Sequence, residues 1–181
     1  MYLGFQGLRA LAGVLPLAAA RALGSTLGSL LYLCLPGQRC LTQEHLRAAF
    51  GENMSDAERS RIARRVFINL GQTFMEWLHL PAMPAASLQA LVTADGLDRL
   101  RGALKQGNGA ILLTAHLGNW EVIPLYLGGL GFAGGVLARW LRYPEYESFL
   151  IDLRGSRGIP TLARGSLKEV AGLLRANQIV G

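Results

Sequence analysis

Six residues constrain this chain more than any others. Positions 110–115 (Ala-Ile-Leu-Leu-Thr-Ala) form a short apolar run between Gly109 and a polar, glycine-containing turn. A run that short, bounded by turn signals, predicts a buried strand rather than a helix. His116 stands at its C-terminal end, and Glu121 opens an apolar segment over residues 122–130 that predicts a helix. On a single helix, five residues would turn these two side chains about 140° apart. With His116 ending a strand and Glu121 in the first turn of the next helix, residues 117–119 can fold one toward the other. Gly118 permits φ > 0 there, and Asn119 is placed to cap the helix.

Strand ends are where open α/β sheets put their ligands. A histidine held by a carboxylate is a general-base unit, because the acid fixes the tautomer and stabilises the imidazolium; a surface His and a solvated Glu that never meet are the alternative. The rest of the chain supplies no rival chemistry. Cys34 and Cys40 form no C-x-x-C or metal pattern, the three histidines are too scattered for a zinc site, and G-x-S-x-G is absent. The glycine run 128–131 fits neither phosphate-loop pattern and reads as a helix stop before a strand at residues 135–139.

Composition adds a partner class. Hydrophobic residues make up 51% and charged residues 17%, with a mean hydropathy of +0.28, which suggests membrane contact. Net charge is +6, and 16 of the 18 basic residues are arginine, the side chain that pairs bidentately with phosphate and carboxylate. An anionic lipid, a phosphorylated substrate or an acidic carrier protein fits that bias. Nucleic acid has no motif to support it.

Between Leu11 and Leu35 the only charge is Arg21. As helix this stretch is long enough to span a bilayer, but Pro16 interrupts it and a central arginine costs about 2.5–3.5 kcal/mol on insertion. One span and two interfacial helices stay open as membrane-associating readings of residues 1–38, and a buried hydrophobic hairpin is the third. Residues 39–181 then form the remaining domain. A helix is expected over residues 41–50, ended by Gly51. Another starts at the capping box Ser55-Asp56-Ala57-Glu58, with Ile62, Val66, Leu70, Phe74 and Trp77 as its core stripe. Arg59, Arg61, Arg64 and Arg65 cluster in its first half, either as a solvated face or as a dock for headgroups or a carrier. Further helices are expected at 97–106, 146–153 and 165–175, and a strand begins near 177.

The strand followed by His116-Leu-Gly-Asn-Trp-Glu121 and an apolar helix resembles the lipid A biosynthesis acyltransferases, the late lauroyl/myristoyl transferases of Gram-negative bacteria. Their H-x-x-x-x-[DE] motif occurs in this setting as H-x-G-N-W-E. Leu46-Arg-Ala-Ala-Phe50 matches another family stretch in part, with His45 where Asn is usual and Gly51 where Pro is; His45 is read as structural. Arg154-Gly-Ser-Arg157 resembles the segment that contributes an active-site arginine, with Arg154 the better match and an exposed helix-terminal arginine the alternative.

The resemblance implies a glycerolipid-acyltransferase-like α/β fold, a central sheet flanked by helices behind a hydrophobic N-terminal anchor. It implies catalysis by His116 and Glu121, and substrate binding by Arg154, Arg157 and Asn119, with no metal or organic cofactor. Acyl carrier protein, or acyl-CoA, would be the donor and an anionic glycolipid at the inner membrane the acceptor, with the site facing the cytoplasm. A phosphatidylinositol mannoside acceptor, or a non-catalytic lipid-binding fragment, are the other readings. The family carries an Asp-Gln motif shortly after the last strand, which this chain lacks. It therefore reads as the N-terminal part of a longer enzyme, with its last strand at an exposed sheet edge.

Overall fold

The computed structural model describes the backbone from Tyr2 to Gly181 and the side chains from Gly4 onward. The described chain divides into two compact units, Leu3–Leu80 and Pro81–Gly181. The expected boundary between residues 38 and 39 falls inside a continuous helix, because the apolar N-terminal helices share a unit with the charged helix that follows them.

In the first unit, α1 (Tyr2–Val14) and α2 (Leu17–Cys34) are separated at Pro16, so residues 11–35 do not form one straight span. Pro at this point lacks the N–H that would continue the ladder. Helix α3 (Pro36–Phe50) ends at Gly51, as the sequence predicts. Ser55 caps α4 (Asp56–His79) through its side-chain oxygen, which accepts from the Glu58 N–H at 3.2 Å.

The packing face of α4 differs from the expected stripe. Ala63, Phe67, Met75 and Leu78 are buried, whereas Leu70 is 56% and Phe74 36% exposed. The cause is a close helix crossing. A Cβ on Gly24 or Gly28 of α2 would collide with the backbone of Gly71 or Phe67, and one on Gly71 with the Gly24 carbonyl. Glycines carry no weight in a hydrophobic pattern, yet here they fix which side of α4 meets α2. Arg59 is also buried rather than solvated. Its guanidinium donates to Asp56 Oδ1 (2.5 Å) and to the Met54 carbonyl (2.8 Å), tying down the turn before α4. Arg61, Arg64 and Arg65 are exposed.

The second unit is α/β. Helices α5 (Ala85–Leu91) and α6 (Leu97–Leu104) lead into β1 (Ala110–Ile111), α7 (Val122–Gly129), β2 (Gly134–Ala138), α8 (Pro144–Gly155), β3 (Thr161–Ala163), α9 (Leu167–Arg175) and β4 (Ile179–Val180). Sequence patterning misses α5 and β3, both short. The four strands are all parallel in the order β1-β4-β2-β3.

β4 is not at an edge: Ile179 pairs with both Ala110 and Gly134, and both β4 residues are buried. β1 is the edge instead, so the 110–115 run is not a buried strand; past Ile111 it continues as exposed chain, with Leu113 91% exposed. β4 enters between earlier strands because its crossover through α9 steps back across the sheet, a placement that no local pattern encodes. Asn177 secures it, accepting from the Gly109 N–H (3.0 Å) and donating to the Leu104 carbonyl (2.9 Å) from a left-handed backbone (φ 58°).

The α2–α4 crossing gives a direct expectation. Overpacking costs about 1–3 kcal/mol and occasionally more. Because the obstacle is backbone, Gly71→Leu should fall at or above the top of that range in denaturant melts, while Gly4→Ala, with open space around its Cα, should be near neutral. Equal melts for the two variants would refute the crossing.

Candidate active site

Parallel pairing puts the C-terminal ends of all four strands on one edge, where β1 hands over to the 112–121 segment, β2 to Arg139 and β3 to Arg164. Gly118 has the positive φ (58°) that the turn needs. The N-cap position of α7 is Glu121 itself, and its side chain makes no capping bond. The expected cap, Asn119, contributes its carbonyl, which accepts from the Val122 N–H at 3.2 Å.

Glu121 is 2% exposed and Arg154, in the last turn of α8, 5%. The two form a bidentate pair: Arg154 Nε donates to Glu121 Oε2 at 2.7 Å and Nη2 to Oε1 at 2.5 Å. Nη1 donates to Thr161 Oγ1 at 3.1 Å, so the start of β3 joins the cluster. Arg154 is thus not an exposed helix-terminal arginine. Two carboxylate oxygens meeting two parallel N–H donors is the geometry that makes a buried charge pair tolerable. It also locks α7 to α8 across 33 residues of sequence.

His116 is exposed, and no hydrogen bond joins it to Glu121. Its ring instead lies 4.6 Å from that of Trp120, tilted by 58°. The sequence motif therefore contains two contacts, His116 on Trp120 and Glu121 on Arg154. Arg157 is tied elsewhere, donating from Nη2 to the Met83 carbonyl at 2.6 Å.

Beneath the turn runs an apolar cleft of about 70 Å³, bordered by Leu112, Trp120, Glu121, Leu127, Phe132 and Ile179. Glu121 is its only charged lining residue. Two arginines missed by motif reading stand at the same sheet edge. The register Ala138↔Ala163 sets Arg139 beside Arg164 on neighbouring strands, and the Arg164 N–H bonds the Ala138 carbonyl at 3.0 Å. Both side chains are exposed and make no ion pair or hydrogen bond among the described residues. Their shared position one residue past a strand was the available signal, but it needed the strand pairing to be read.

In the first unit, the Glu44 carboxylate raises the pKa of the Cys40 thiol, first by the hydrogen bond it accepts at 3.4 Å and then by its charge. That works against the thiolate a nucleophile would need.

Removing one member of a buried pair costs about 3–5 kcal/mol, because it strands the other charge. Arg154→Ala should therefore destabilise strongly in urea titrations. Glu121→Leu with Arg154→Met should recover most of the loss, since an apolar replacement of the whole pair is often neutral. A mild Arg154→Ala would show that the pair is not a structural lock.

No curated protein matches this chain. The family model described as bacterial lipid A biosynthesis acyltransferase matches residues 1–181. The chain belongs to the bacterial lipid A biosynthesis acyltransferases.

Proposed function

We propose that the protein transfers a fatty acyl group from a thioester donor, acyl carrier protein or acyl-CoA, to a hydroxyl of an anionic lipid A precursor. His116 serves as the general base. The observation that carries this reading is the apolar cleft between α7 and the sheet, walled by Trp120 and Glu121, with the His116 ring against Trp120. An acyl chain needs an apolar slot, and the reacting carbonyl needs a base at its mouth.

The imidazole takes the proton from the acceptor hydroxyl as its oxygen attacks the thioester carbonyl carbon. The tetrahedral intermediate collapses with cleavage of the C–S bond, and the imidazolium returns the proton to the departing thiolate. Glu121 orients His116 in that step. Its two bonds to Arg154 use only part of the acceptor capacity of a carboxylate, which has about four lone-pair sites, leaving room for an imidazole N–H once substrate draws the 116–120 turn inward. Arg154 is a positioning residue: it holds the carboxylate that holds the base. Asn119 and Arg157 support the same region, Asn119 in the turn and Arg157 through Met83. Arg139 and Arg164, free of other partners, take the acceptor's phosphate groups.

Transfer of a labelled acyl group from acyl carrier protein to a lipid A precursor tests this reading. General-base contributions are typically about 10² to 10⁴-fold, so His116→Ala should lose activity on that scale with its circular dichroism unchanged. His116 and Glu121 act as one unit in this mechanism, so in a Glu121→Gln background whose circular dichroism shows the fold retained, His116→Ala should remove little further activity. Arg139→Ala with Arg164→Ala should raise the KM for acceptor while kcat changes little, as expected where ground-state binding alone is lost. Near-normal turnover by folded His116→Ala sinks the mechanism. An unchanged acceptor KM in the arginine double variant removes the phosphate assignment and leaves the base in place.

A further inference from the structure

Helix α2 is the one described helix long and apolar enough to cross a membrane by length and composition. The structure binds it along its length to α4, which is neither uniformly apolar nor free to part from it. The two run antiparallel: Arg21 Nε donates to Glu76 Oε1 (2.6 Å) and Gln72 Nε2 to Ser25 Oγ (2.7 Å). Gly28 lies against Phe67, and the Tyr32 ring meets Phe67 edge-on at 5.5 Å. A helix crossing the bilayer would either leave this backbone-level contact or draw in the stretch of α4 that carries Arg61, Arg64, Arg65 and Glu76. Charged side chains are rare within spanning segments because the hydrocarbon offers them no partner.

The pair has two unlike flanks. The bridges from Arg21 and Ser25 to Glu76 and Gln72 lie on one of them. Arg65 and Arg61 precede Gln72 by seven and eleven residues, spacings that return to nearly the same side of a helix, so they continue that flank. Residues two apart point about 200° away from each other. Leu23 and Leu27, each two from Ser25, therefore take the other flank of α2. Leu70, two from Gln72, and Phe74, two from Glu76, take the other flank of α4. Leu30, 51% exposed, extends it. No charged residue of α2, or of α4 beyond residue 65, falls on this second flank.

We infer that this flank, formed by Leu23, Leu27 and Leu30 of α2 with Leu70 and Phe74 of α4, lies in the plane of the lipid surface, and that α2 does not cross the membrane. Charge selects the occupant. The apolar flank offers nothing for an ionic partner, and the first unit carries eight arginines (9, 21, 39, 47, 59, 61, 64, 65) against five carboxylates (44, 52, 56, 58, 76), a net +3 that favours anionic lipid. An amphipathic element with apolar residues on one side and arginines on the other is the form that binds at an interface rather than across it. The choice of a bilayer rests on the family's lipid substrate, but the test reads membrane placement without turnover and is independent of the acyl-transfer mechanism.

The whole protein, with Cys34→Ser and Cys40→Ser as background, is reconstituted on phosphatidylethanolamine–phosphatidylglycerol vesicles. An environment-sensitive fluorophore is attached to Leu70→Cys or to Arg65→Cys. The label at position 70 should blue-shift and be quenched by brominated acyl chains, and the label at 65 should stay aqueous. Separately, Ala18→Cys in that background and Cys34 retained alone (Cys40→Ser) sit at opposite ends of α2. In sealed vesicles an impermeant maleimide should reach both from the same side. An aqueous label at position 70, which includes the case of a protein partner covering this flank, overturns the proposal. So does reaction of positions 18 and 34 from opposite sides.

Discussion

The buried pair between Glu121 and Arg154 is the interaction on which the second unit depends. Each charge, taken alone into so enclosed a place, would be untenable; two parallel hydrogen bonds and a third to Thr161 make it stable. The pair joins the start of the helix after β1 to the end of the helix after β2, and through Thr161 reaches β3. Two successive βα connections and the strand that follows them are thereby tied together, and the cleft under the turn keeps its wall. Glu121 is at once a strut of the fold and the one charge lining the cleft. In the proposed mechanism this carboxylate is already held before substrate arrives, and such preorganisation would lower the cost of orienting the base.

Parallel pairing explains why residues far apart in sequence share one edge. Each strand begins at the same side of the sheet, so each hands its next residue to the same rim. The turn with His116, Arg139 after β2 and Arg164 after β3 all belong to that rim. β4, inserted between β1 and β2, carries no side chain of this kind and supplies backbone instead: its carbonyls receive Leu112 on one side, and the Gly181 carbonyl receives Leu137 on the other. The centre of the sheet is thus filled by β4, which follows the other three strands in sequence.

The first unit follows a different physical rule. Its close contact is made by glycines, and the absence of side chains at Gly24, Gly28 and Gly71 lets two backbones approach within a distance that larger residues forbid. That approach uses one side of each helix and leaves the leucines of α2 and the Leu70–Phe74 strip of α4 outside. An apolar surface is therefore a consequence of how the pair packs, and it is the surface proposed above to meet lipid.

Local chemistry was legible in the sequence wherever it acts over a few residues. Ser55 with Glu58, Gly51 as a helix stop, Gly118 in its turn and the α/β alternation around His116 and Glu121 all follow from propensities and capping, which operate within one turn of chain. The family was legible in the same way, because its motif is contiguous. Tertiary structure decided the rest. The partner of Glu121 is 33 residues away on another helix, the neighbours of β4 depend on how its crossover returns, and the core face of α4 depends on glycines that no hydrophobic pattern registers. Each of these is a contact between elements. It arises from the requirement that a buried charge find a donor, a central strand find two neighbours and two helices find their closest approach, and those requirements are met only when the whole chain has folded.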